Sequence, residues 1–163
     1  MIYIKKDSTN HVTLGGTIAT EGMLAAGYFK YYGPTPQKGL LLWDELNNVI
    51  IADLTKLKTK KVEDIVIGYE NANQLDIDYM ATTFQADKDS QNLIVSVLSA
   101  GSVPDGFFWL DTANNQVVMT YADLQGLSGV ILARSQTNFV KYQDLKAQVS
   151  TATTVDELEA IKW

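Results

Sequence analysis

Turn-forming residues recur so closely before residue 54, and an apolar period of three to four residues is so sustained after residue 121, that the two ends of this chain cannot share a secondary structure. Ile2 to Lys6 gives way to Asp7-Ser8-Thr9-Asn10, and Val12 to Leu14 runs into Gly15-Gly16, which predicts a hairpin. Thr20 is a candidate N-cap for a helix of one or two turns, Glu21 to Ala26, with Gly27 placed where a helix exits through positive φ. An aromatic strand, Tyr28 to Tyr32, follows; Gly33-Pro34-Thr35-Pro36 stops it, because each proline removes a donor and restricts the residue before it. Leu40 to Trp43 and Val49 to Ala52 predict a second hairpin across Asp44 to Asn48.

From Leu54 onward the pattern becomes helical, with Leu57, Val62, Ile65, Val66 and Tyr69 near one face. Leu75 to Tyr79 alternates and then meets Thr82-Thr83-Phe84, predicting a short extended pair. Asp87 or Asp89 offers an N-cap for a helix through Leu93, Ile94, Val97 and Leu98, ended by Gly101. Phe107 to Leu110 and Val117 to Thr120 flank the turn Asp111 to Asn115. The longest helix starts near Tyr121 or Ala122 and carries Leu124, Leu127, Ile131, Phe139, Tyr142, Leu145 and Val149. A last short helix, Val155 to Ile161, has Thr154 as N-cap and Glu157 at the third position, a capping box. The expected fold class is α+β: a β-rich module over 1–54, then an α+β domain over 55–163 with an inserted hairpin and a long C-terminal helix.

A chain of 163 residues buries roughly two-thirds of its unfolded surface, enough for a core without metal or disulfide staples. A net charge of −6 repels phosphate backbones, and a single arginine, Arg134, leaves little capacity for bidentate phosphate or guanine contacts, so nucleic acid is not an expected partner. The lysines Lys56, Lys58, Lys60 and Lys61 read as a solvated helix start or linker. No stretch approaches the ~18 apolar residues of a membrane span, and the first residues lack a signal-like apolar run, so neither membrane nor secretion is expected.

Reactive constellations are not expected either. Without cysteine there is no thiolate nucleophile and no Cys-ligated zinc. His11 is the only imidazole and reads as a solvent-exposed strand residue beside a turn. Asp87 to Asn92 superficially resembles a calcium loop, yet Asn92 and Leu98 occupy the positions that need glycine and a closing glutamate, so Asp87 and Asp89 read as helix-capping residues. Asp76 and Asp78 share one face of a strand, where paired carboxylates could do acid-base work, but a charged outer face is the stronger reading. Gly126 and Gly129 read as points of close helix packing. No catalytic, cofactor-binding or metal-binding residue is therefore expected. Partner contact is expected instead at the aromatics Tyr28, Tyr31, Tyr32 and Trp43, and along the long helix at Ile131, Phe139 and Tyr142, where Val130 and Leu132 widen the apolar stripe.

Phe84 to Asn92, the Phe107-Phe108-Trp109-Leu110-Asp111 to Val117-Val118-Met119-Thr120 hairpin, and the ending Thr151 to Ile161 together resemble an uncharacterised C-terminal domain of bacteriophage tail-fibre and tail-fibre-assembly-like proteins. The stretch Glu21 to Trp43 is similar, more loosely, to small phage tail proteins that carry that domain. The resemblance implies a virion structural protein of the tail fibre or its attachment region, made in the bacterial cytoplasm. It also implies association with other tail proteins and homo-oligomerisation, with a trimer favoured. A tail-fibre assembly chaperone absent from the mature particle is the alternative, and a host surface glycan is a further candidate partner. The resemblance carries no catalytic residues.

Overall fold

A computed structural model describes residues 2–15, 21–31, 41–44 and 49–163. The element order is β1 (Ile2–Lys6), β2 (Val12–Leu14), α1 (Glu21–Ala25), β3 (Phe29–Tyr31), β4 (Leu41–Asp44), β5 (Val49–Ala52), α2 (Leu54–Ala72), β6 (Ile77–Tyr79) and β7 (Thr82–Phe84), followed by α3 (Lys88–Ser99), β8 (Phe108–Leu110), β9 (Gln116–Val118), α4 (Tyr121–Thr151) and α5 (Val155–Ala160). The class is α+β, as the change of period along the chain predicts. By proximity of Cα atoms the chain divides into two compact units. One comprises 1–62 and 149–161; the other comprises 63–148 and 162–163.

In the first unit β1 is the central strand of an antiparallel sheet ordered β2-β1-β3, with Ile4 opposite both Leu14 and Phe29. Ile4 and Tyr31 are buried together, and Val12 and Phe29 pack on them. Asp7 closes the β1–β2 turn by accepting from the Thr9 and His11 N–H groups, at 2.8 and 3.0 Å. Asn10 takes the positive φ that the turn requires. β4 and β5 pair antiparallel from Leu41–Ala52 to Asp44–Val49, while the turn predicted between them lies largely outside the described residues. Asp53 caps α2, accepting from Lys56 N–H at 3.1 Å. Thr154 and Glu157 form the predicted capping box of α5.

Two lysines of the run at 56–61 depart from the solvated reading. Lys58 Nζ donates to Ser150 O, one of the last carbonyls of α4, at 2.7 Å, and Lys61 Nζ donates to Ile161 O at 3.2 Å. Helix ends leave carbonyls without intrahelical partners and carry partial negative charge, and an ammonium group answers both needs.

The second unit is built on Ile77, Phe84, Ala86, Ile94, Trp109, Met119, Leu124, Leu127 and Ile131, all buried. Strand alternation aims Ile77 and Phe84, opposite one another, at this core. Asp87 is the N-cap of α3, accepting from Ser90 N–H at 2.8 Å, and Gly101 leaves the helix at φ 80°. The turn between β8 and β9 is organised by Asp111, which accepts from the Ala113 and Asn115 N–H groups, both at 2.8 Å, while Asn114 takes φ 62°. Among the described residues no helix is long and apolar enough to cross a membrane.

Candidate protein-interaction surface

Strand alternation sorts the β8–β9 hairpin into two faces. Trp109 is buried in the core, and its neighbour across the pair, Val117, packs against the same cluster. Phe108 and Leu110 consequently project the other way, together with Val118, which stands opposite Phe108. Phe108 and Leu110 are each 42% exposed and Val118 is 71% exposed, so an apolar hairpin face meets solvent. Leu93 of α3, 55% exposed, extends this surface.

Between α3 and β8 runs an open groove of about 370 Å³. Leu93 and Val97 line its helical side, Phe107 to Leu110 its strand side, and Gln85 and Ser90 add polar groups; none of the lining residues is charged. Its volume lies within the range of ordinary ligand sites, and its apolar lining with few polar groups suits the burial of another molecule's apolar side chains. A smaller hollow of about 180 Å³ lies between α3 and α4, bordered by Ile94, Val95, Ile131 and Leu132.

The residues expected at partner contacts divide. Tyr31 is 5% exposed and packs on Ile4, and Ile131 is 7% exposed in the second core, so both are filled by their own fold and correct the expectation of surface anchors. The cause is the same at each: the inward-facing position of a strand or helix is consumed by the nearest hydrophobic cluster. Tyr28 is half-buried. Tyr32, together with Gly33 to Gly39, lies outside the described residues, as does the Trp43 side chain. Phe139 stays 47% exposed. Tyr142 is half-buried and stacks on Tyr69, with ring centroids 4.9 Å apart. Tyr69 in turn meets Trp163 edge-on at 6.1 Å. Lys141 lies over the Trp163 ring at 4.5 Å and Lys146 over the Tyr142 ring at 4.8 Å, which adds cation-π attraction to the cluster.

His11 also departs from expectation. Its side chain is only 27% exposed, with Nε2 2.9 Å from Asp53 Oδ2 and Nδ1 2.6 Å from Thr9 Oγ1. Removal from water pushes the Asp53 carboxyl up, but the Lys56 N–H and His11 bonds outweigh it and leave the group below its ordinary range. The imidazole thus ties the β1–β2 turn to the start of α2, a role that forty-two residues of separation hide from sequence inspection. Asp78 and Asp76 are exposed; Asp78 accepts from Thr83 Oγ1 at 2.6 Å, a cross-strand bond on the outer face of β6.

Arg134 is equally committed. Its guanidinium donates to Leu75 O, to Asn73 O at 2.7 Å and, at the limit of bonding, to Asp76 O at 3.5 Å, where the chain leaves α2. Burial lowers its pKa and the Asp76 charge opposes the shift. Gln91 Nε2 donates to the same Asn73 carbonyl at 2.8 Å, and Asn138 Nδ2 donates to Asn73 Oδ1 at 2.9 Å. This polar knot joins α2, α3 and α4 within the second unit, and no local motif announces it.

A family model described as a domain of unknown function, DUF4376, matches residues 50–162. The chain belongs to that family. No curated protein and no solved structure matches it. The groove between α3 and β8, the exposed hairpin face and the Asn73–Arg134 knot all fall inside the DUF4376 match. The β1–β3 sheet, with the aromatic residues of β3, falls outside it.

Proposed function

We propose that this chain is a non-enzymatic bacteriophage tail protein of the fibre or fibre-attachment region, which works by binding other tail proteins. The observation that carries the reading is the uncharged groove beside β8, continued by Leu93, Phe108, Leu110 and Val118 at the surface. Contiguous apolar surface of this kind costs solvation free energy in a lone molecule and is recovered by association. The likeness of residues 84–92, 107–120 and 151–161 to the tail-fibre-associated domain supplies the biological setting.

The test is made on particles purified from cells infected with the phage that encodes the chain. Mass spectrometry is expected to find it at a fixed ratio to the fibre protein. Phe108→Asp combined with Leu110→Asp is expected to abolish its incorporation while the isolated protein keeps its circular dichroism. Absence of the chain both from particles and from fibre-assembly intermediates overturns the proposal. Its presence on intermediates alone replaces a structural component with an assembly chaperone.

A further inference from the structure

The strand side of the groove is a main-chain edge as well as an apolar wall. Met119 N–H donates to Phe107 O and Asp111 N–H donates to Asn115 O, both at 3.0 Å. In an antiparallel pair the bonded positions alternate, so residues 107, 109 and 111 bond toward β9 while the main-chain groups of Phe108 and Leu110 point away from it. That outer edge is started by β7: Phe84 bridges to Asp111, and Thr112 N–H donates to Thr83 O at 3.0 Å. Past the bridge no strand continues the ladder among the described residues, since β8 and β9 form a two-stranded sheet. The Phe108 N–H and C=O and the Leu110 N–H therefore have no strand partner among the described residues, and their residues line the groove together with Leu93 and Val97 of α3.

A free strand edge facing an apolar helix across an uncharged trough is matched by one kind of occupant. An extended segment can bond its own main chain to the edge while every second side chain enters the apolar space. Charge adds a second requirement. The segment 85–111 that builds the groove contains Asp87, Asp89, Asp105 and Asp111 against Lys88 alone. Asp87 and Asp111 are held ionised by hydrogen bonds, chiefly from Ser90 N–H and from the Asn115 side chain respectively.

We infer that the groove takes an extended peptide segment of a partner protein as an added strand on β8, with alternating uncharged apolar residues inside the groove and Lys or Arg at the flanks. The inference rests on the association reading above and specifies its mode. Acidic groups around a neutral trough favour basic flanks by long-range attraction, which also makes the affinity fall with salt.

The probe is a pool of short capped peptides with alternating valine or leucine positions, flanked by either lysine or glutamate, presented to the full chain at low salt. Lysine-flanked peptides are expected to be retained at least about ten-fold more strongly than glutamate-flanked ones. One retained peptide is then N-methylated at every second amide, in the two possible phases. In one phase the methyl groups face the edge, removing the bond that the peptide donates to the Phe108 carbonyl and crowding the approach of its neighbours, and this is expected to weaken binding by about ten-fold or more, while the other phase stays near the parent affinity. Because these changes are made in the ligand, folding of the protein is not at issue. Equal binding of the two methylated phases overturns strand addition, as does failure to retain any peptide of the pool. Preference for glutamate flanks overturns the charge assignment, and occupation of the groove by a second copy, seen as dimerisation that the peptides compete away, overturns the partner. Any of these outcomes leaves the particle experiment free to succeed, so the two proposals fail separately.

Discussion

Arg134, the Met80–Ala81 turn and His11 show how much of this fold is carried by individual residues. Arg134 supplies donors to carbonyls at the end of α2, so Arg134→Ala leaves those acceptors poorly paired and is expected to destabilise the protein by about 1–3 kcal/mol, read from urea denaturation. Arg134→Lys is expected to restore only part of the loss, because an ammonium cannot reproduce the planar fork. Met80 and Ala81 form the β6–β7 turn with φ of 50° and 57°, a conformation that asparagine and glycine adopt far more readily. Ala81→Gly is expected to raise stability by about 1 kcal/mol in the same measurement, and a decrease would mean that the alanine methyl group packs. His11 repeats the case of Arg134. Its chemistry was visible as a lone imidazole, but its partner, Asp53, belongs to a remote part of the chain.

At the scale of the element, α4 runs for 31 residues, about 45 Å, with buried residues near both ends and none from Leu132 to Asp144. The middle is held by the Asn73–Arg134–Asn138 bonds and the Tyr69–Tyr142 stack, which is why a simple apolar stripe overstates Ile131 and Phe139 as equivalent contacts. The two glycines of the helix behave differently. A Cβ on Gly126 would approach the Tyr79 hydroxyl to 2.0 Å, whereas a Cβ on Gly129 meets nothing within 4 Å. Gly129→Ala is therefore expected to stabilise the protein by about 0.5–1 kcal/mol through helix propensity alone, while Gly126→Ala is expected to lower the melting temperature. The expectation of close packing thus holds at one of the two positions. A helical period says which residues share a face, but not what stands opposite that face.

Across the whole molecule, hydrogen bonds to carboxylates set the response to acid. Asp7, Asp53, Asp87, Asp111 and Asp123 are held below 3.8, and Glu157 below 4.5; in all but Asp53 the largest cause is a hydrogen bond onto the carboxylate. A carboxyl with a lowered native pKa favours the folded state above its ordinary pKa, and that contribution disappears as pH falls through the native value. The melting temperature is expected to be flat with respect to these groups near neutrality and to drop below about pH 4, with no acid-induced gain. The chain's own pattern determined the strands, helices, caps and turns, because these depend on neighbours within a few residues: Asp87, Asp111, Thr154 and Gly101 act where local rules put them. Only the tertiary structure decided that Tyr31 and Ile131 are interior, that Lys58 and Arg134 serve helix ends, and that β8, beside α3, has no strand partner but β9 and the Phe84 bridge among the described residues. Each of these depends on which surfaces meet after collapse, and distant surfaces can be matched in more ways than periodicity along the chain can distinguish.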